Sequence, residues 1–233
     1  LCLRNDNNQA GYYNLIYDNG GYIINDDKTK SGMDDPKTVE AMEMLEGWIK
    51  DGVLPPIETM SENGEDVLLE SGKVAMVPQG SWMIAAFRDN EYTAENCDCV
   101  ELPKSATTGR RASLYNGLGW AAAANTEHPE EAWQLIEYLG SKEAQEKQAE
   151  LGVTMSAYTG TSEAWAKSAN FNLQAYINMM DDMEIRPYSR STVTWENKNS
   201  EILKSVYSGD KTMADACKEM AEQMNESLAE EQQ

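Results

Sequence analysis

Six tryptophans, forty carboxylates, four cysteines and one histidine bound the chemistry open to this chain. Nucleophilic catalysis through a histidine base needs that base beside its nucleophile. The lone His128 stands instead at a helix start next to Pro129, a capping context, and reads as structural. Zinc asks for clustered Cys and His at short, set spacings. Cys97-Asp98-Cys99 lacks that spacing, and Cys2 and Cys217 are far away in sequence. These thiols read as unpaired residues in or near a core. A Cys97–Cys99 disulfide is not expected, because residues two apart on a strand hold their Cα atoms about 6.5–7 Å apart, the upper limit for a bridge. The stretch "GLGW", residues 117–120, lacks the further glycine and lysine of a phosphate loop. A pair of carboxylates can hydrolyse a glycoside, but among 40 acids no pair stands out. No cofactor and no metal are expected.

The tryptophans carry more information. An indole face stacks on the C–H groups of a pyranose, while polar neighbours meet its hydroxyls. Trp48 and Trp133 lie on apolar helical faces and are expected in the core; Trp165 fits either role. Trp82, Trp120 and Trp195 stand at boundaries between elements, among small or turn-forming neighbours.

The elements that position them follow from periodicity and punctuation. "GKVAMVPQGSW", residues 72–82, reads as a strand over 73–77, a turn, then a helix capped by Ser81. Trp82 falls at that turn, at the carboxyl end of the strand, where open α/β sheets bind ligands. Further strands are expected over 98–102 and 118–124. Pro36 in a first turn, with Val39, Met42, Leu45, Trp48 and Ile49 at helical spacing, predicts a helix stopped by Gly52. A second begins at Pro129, with Ala132, Trp133, Leu135, Ile136 and Leu139 as its buried stripe. Further helices are expected over 64–71, from Ser141 to Gly152, and over 195–207. The last opens on the capping box Thr212–Asp215 and buries Met213, Cys217, Met220, Met224 and Leu228. Strands alternating with helices place the chain in the α/β class.

The 233 residues suffice for one large domain or two small ones. The net charge of −21 repels nucleic-acid phosphates and anionic membrane surfaces. No run approaches the ~20 apolar residues of a membrane span. The opening "LCLRNDNNQAGYY" has neither an initiator Met nor a cleavage pattern, and reads as part of something longer.

Several stretches together resemble the extracellular solute-binding proteins of ABC sugar importers, the family that includes maltose-binding protein. They are "NLIYDNGGYIINDD" with its paired Gly20-Gly21, "DDPKTVEAMEMLEGWIKDGVLP", "LLESGKVAMVPQGSW", "NTEHPEEAWQLIEYLGSKEAQ" and "ILKSVYSGDKTMADACKEMAEQMNESL". Their order and spacing agree across nearly the whole chain. The resemblance implies a type II periplasmic-binding-protein-like α/β fold with two lobes, here without the family's N-terminal part. It divides the chain into a second-lobe portion (1–102), a first-lobe portion (103–186), and a return crossing with closing helices (187–233). It implies capture of a carbohydrate between lobes and delivery to permease subunits, without catalysis. The setting would be extracellular, at the cell surface or periplasmic, with any signal or lipid anchor outside these residues. It also implies ligand contacts at Trp82, Trp195, Trp120, Tyr12, Tyr13, Asn116, Gly117 and Arg190. The competing readings are a hydrolase with a tryptophan-lined cleft and an acidic protein–protein module.

Overall fold

The computed structural model describes residues 1–3 and 9–232. Its helices are, in chain order, α1 Tyr13–Asp18, α2 Pro36–Lys50, α3 Ile57–Glu62, α4 Glu65–Glu70, α5 Ile84–Asp89, α6 Glu91–Asn96, α7 Pro129–Gly140, α8 Lys142–Leu151, α9 Ser162–Ala166, α10 Gln174–Asn178, α11 Thr192–Tyr207 and α12 Met213–Glu231. Two short strands, β1 Ser113–Tyr115 and β2 Met183–Ile185, pair in parallel, with Ser113 opposite Met183 and Tyr115 opposite Ile185.

The chain forms two compact units. Unit 1 comprises Leu1–Pro78, Leu102–Tyr115 and Asp181–Gln233; unit 2 comprises Gln79–Glu101 and Asn116–Met180. The passages between them therefore fall at 78/79, 101/102, 115/116 and 180/181. Local sequence marks these passages poorly, because two of them abut the ends of the parallel strand pair rather than a loop rich in glycine or proline.

Unit 1 is built on α12. The Thr212 hydroxyl accepts the Asp215 N–H at 3.2 Å, as the capping box predicts. Met213, Cys217, Met220, Met224 and Leu228 are all buried, and the first four lie in one core with Tyr13, Ile16, Met42, Leu45, Trp195 and Leu203. In α2, Asp35 caps the Lys37 N–H at 2.9 Å and Pro36 occupies the first turn. Trp48 and Ile49 pack on the edge of the same core. The short α1 ends at Gly20, whose φ of +79° suits the residue without a Cβ.

Unit 2 is helical around Ile84, Phe87, Trp165, Leu173 and Met179, all buried. Ser141 caps α8 through the Ala144 N–H at 3.3 Å, and Gly152 ends it at φ +68°.

Three expectations are corrected. Residues 73–77, 98–102 and 118–124 are not strands. A strand exists by its ladder, and these runs have other partners. The Met76 carbonyl accepts one N–H, from Cys2 at 3.0 Å. Asp98 Oδ1 takes up the Cys99 and Asn172 N–H groups. Residues 118–124 are exposed throughout. Second, the apolar stripe of α7 is not core: Trp133 is 61% exposed, Leu135 58%, and no residue of that helix is buried. The periodicity correctly predicts the helix, but burial also needs a facing element. Third, Ser81 does not cap α5; it opens a 3₁₀ turn, Ser81–Met83, and makes no capping bond. Cys2, Cys97, Cys99 and Cys217 are free thiols.

Candidate ligand-binding site

In unit 2 the site starts from Gly80. Its backbone is extended, and the indole of Trp82 lies over it so closely that any Cβ there would collide with the six-membered ring. The ring is thus laid against main chain on one side, and Trp82 remains 42% exposed. The preceding residue is well anchored. The Gln79 side chain accepts the Gly80 N–H at 2.8 Å, and the Gln79 carbonyl accepts the Tyr176 hydroxyl at 3.0 Å. Tyr176 meets the fully buried Trp165 edge to face, with ring centroids 5.7 Å apart. Burial pushes the Tyr176 hydroxyl well above its usual range, so it stays a proton donor at any physiological pH. Ser81 Oγ lies 3.3 Å from Thr154 Oγ1. An exposed indole laid against main chain on one side can take an apolar ring face on the other.

Asn116, Gly117 and Trp120 also belong to unit 2. All three are exposed, Trp120 by 61%, on a segment without helix or strand.

Unit 1 treats its expected contacts differently. Tyr12, Tyr13 and Trp195 are buried in its core. The two tyrosine rings meet edge to face at 5.1 Å. Tyr13 donates its hydroxyl to Glu196 Oε1 at 3.1 Å, and Arg186 Nη2 reaches Glu196 Oε2 at 2.5 Å. Trp195 donates its indole N–H to Ser189 Oγ at 3.0 Å, while Gln223 of α12 donates to the Trp195 carbonyl at 3.2 Å. All three rings are buried among the side chains of unit 1. Arg190 is exposed and holds its place through its backbone N–H, which donates to Glu231 Oε2 at 3.0 Å.

Sequence reasoning missed Gln79, Tyr176, Glu196 and Glu231. The acids were lost among many, and Tyr176 is nearly a hundred residues from the backbone it supports. Among the described residues, no cluster of three His, Cys, Asp or Glu side chains is arranged to hold a metal ion. Nor is any described helix long and apolar enough to cross a membrane.

A sequence model of the family described as "Bacterial extracellular solute-binding protein" matches residues 4–180. The chain belongs to that family. No curated protein matches this solute-binding chain. Solved structures do. The GacH receptor of Streptomyces glaucescens, solved unliganded and with acarbose, is 17% identical at a TM-score of 0.84, covering 98% of this chain and 59% of its own. An ABC substrate-binding protein of Listeria monocytogenes in complex with cycloalternan is 19% identical at 0.80, covering 94% and 56%. A solute-binding protein of Thermotoga lettingae bound to α-D-tagatose is 23% identical at 0.78, covering 96% and 57%. The solute-binding chain therefore has the periplasmic-binding-protein-like α/β fold of these sugar binders, and spans less than two thirds of their length.

Proposed function

We propose that the chain captures a carbohydrate outside the cytoplasm and passes it, chemically unchanged, to the permease subunits of an ABC importer. The observation that carries this reading is Trp82, a large indole laid over a glycine and still 42% exposed to solvent. A core residue would be sealed; a stacking platform has this form. Trp120 is the second platform of unit 2, with Asn116 and the Gly117 backbone as polar contacts. On unit 1, Arg190 serves as a hydroxyl donor, and Tyr12, Tyr13 and Trp195 act as support beneath the surface. The ligands of the structures above make acarbose, cycloalternan and tagatose the first solutes to try.

Titration calorimetry with these three sugars tests the reading. Trp82→Ala should weaken binding by about 2 kcal/mol, roughly thirtyfold, as loss of an aromatic anchor does. Unfolding of the sugar-free protein should hardly move, because the ring is not a core residue. Unchanged affinity in the variant, or no binding of any sugar, sinks the proposal. Chromatography of the recovered sugar separates binder from hydrolase, since only the hydrolase returns cleaved product.

A further inference from the structure

Asparagine is followed by glycine three times, at Asn19-Gly20, Asn63-Gly64 and Asn116-Gly117. Glycine has no Cβ to crowd its backbone nitrogen, so in this dipeptide that nitrogen reaches the asparagine side chain with the least hindrance. The fold treats the three pairs differently. Asn19 closes α1. Its Nδ2 donates to the Lys37 carbonyl at 2.8 Å and to Glu40 Oε2 at 3.0 Å, and the Gly20 N–H donates to the Tyr17 carbonyl at 3.0 Å. Side-chain amide and backbone nitrogen are both engaged. Asn63 is held between α3 and α4. Its N–H and its Nδ2 both donate to the Thr59 carbonyl, at 3.1 and 3.4 Å, and the Gly64 carbonyl accepts the Leu68 N–H at 3.1 Å. Asn116 and Gly117 follow β1 on a segment without helix or strand, and both are exposed. Among the described residues, none hydrogen-bonds the Asn116 side chain or the Gly117 N–H.

We propose that Asn116 is a site of spontaneous covalent modification, deamidating through a cyclic imide with Gly117 while Asn19 and Asn63 are protected by the fold. The Gly117 backbone nitrogen attacks Cγ of Asn116, a new C–N bond closes a five-membered succinimide, and the bond from Cγ to the side-chain nitrogen breaks. That nitrogen leaves as ammonia, carrying the proton of the former Gly117 N–H. One water then opens the ring at either carbonyl, giving aspartate or isoaspartate. Ammonia is lost and water gained, with no oxidant or reductant. At Asn19 and Asn63 hydrogen bonds must open before the ring can close, and about 1.4 kcal/mol of opening slows a reaction tenfold. At Asn116 nothing has to open first. The product adds a negative charge to a chain already at −21. In its isoaspartyl form it also lengthens the backbone by one carbon between β1 and Trp120. On the reading proposed above this spoils a polar contact of the sugar site, but the reaction itself does not rest on that reading.

Ageing the full chain in mildly alkaline buffer at physiological temperature, with peptide mass spectrometry at intervals, tests it. The peptide holding Asn116 should gain about 1 Da and separate into aspartyl and isoaspartyl forms. It should convert at least about tenfold faster than the peptides holding Asn19 and Asn63. In denaturing urea the three rates should draw together to within about threefold, because the fold no longer protects two of them. Gly117→Ala places a Cβ beside the attacking nitrogen and should slow the Asn116 reaction at least about fivefold in the native protein. Asn116 converting no faster than the other two overturns the proposal. So does a tenfold lead that persists unchanged in urea, since sequence and not structure would then choose the site.

Discussion

Gly80 decides where Trp82 can lie. The glycine's φ is negative, so its role is not backbone freedom; the space a Cβ would fill is taken by the indole. Gly80→Ala should therefore behave like loss of the ring. We expect sugar affinity to drop at least tenfold, about 1.4 kcal/mol, with apo stability changed by less than about 1 kcal/mol. Calorimetry and thermal melts of the one variant read both quantities, and full affinity with alanine present would break the link between glycine and ring. This pair was half legible. "GSW" after an apolar run marks a turn with an aromatic on it, but sequence alone does not place the ring over the glycine. Trp195 shows the converse. It too follows a turn, yet it is buried in the core of unit 1, where Gln223 of α12 reaches its carbonyl. Boundary position is a local property, and burial depends on what folds over.

Among the elements, α12 was the most legible and β structure the least. A capping box and a five-residue apolar stripe are written within one helix. A ladder is written in two places, and residues 73–77 look like a strand with nothing nearby to say what they pair with. The far end of α12 adds a contact that no pattern announces. Glu231 takes hydrogen bonds from the Ser189 and Ser191 hydroxyls and from the Arg190 and Ser191 N–H groups. It thereby ties the connector ahead of α11 to the last turn of α12. Burial disfavours its charge, but the Ser191 and Ser189 hydroxyls and the two N–H groups outweigh that and lower the carboxyl to about 2. The folded value lies below the ordinary 4.5, so the stabilisation is complete above about pH 4.5 and is lost as pH falls through 2. Glu231→Gln should cost about 1 kcal/mol at neutral pH, a figure reduced for partial solvent screening. It should also flatten the acid limb of the stability curve. Urea melts at about pH 7 and pH 3 measure both effects. An equal loss at the two values would show that the charge is not what ties the connector.

At the scale of the molecule, unit 1 is assembled from three separated stretches, and the last of them completes its core. Met224 is fully buried, and its sulfur accepts the Ser31 hydroxyl at 3.3 Å. Met224→Ala should cost about 2–5 kcal/mol, as buried large-to-small changes do. A urea melt followed by tryptophan fluorescence should register it, since Trp195 lies in the same core. A loss below about 1 kcal/mol would mean that the Met224 side chain is not packed in the core. The order of the stretches has a further consequence for how the protein is made. Ribosomes add about 5–20 residues each second, and early segments ordinarily fold first. Here Tyr13, Ile16 and Met42 wait for partners numbered 213 to 224. For the ten seconds or more that separate them, the nascent chain carries a core with one wall missing. Any holding factor that meets it during synthesis meets it unfolded.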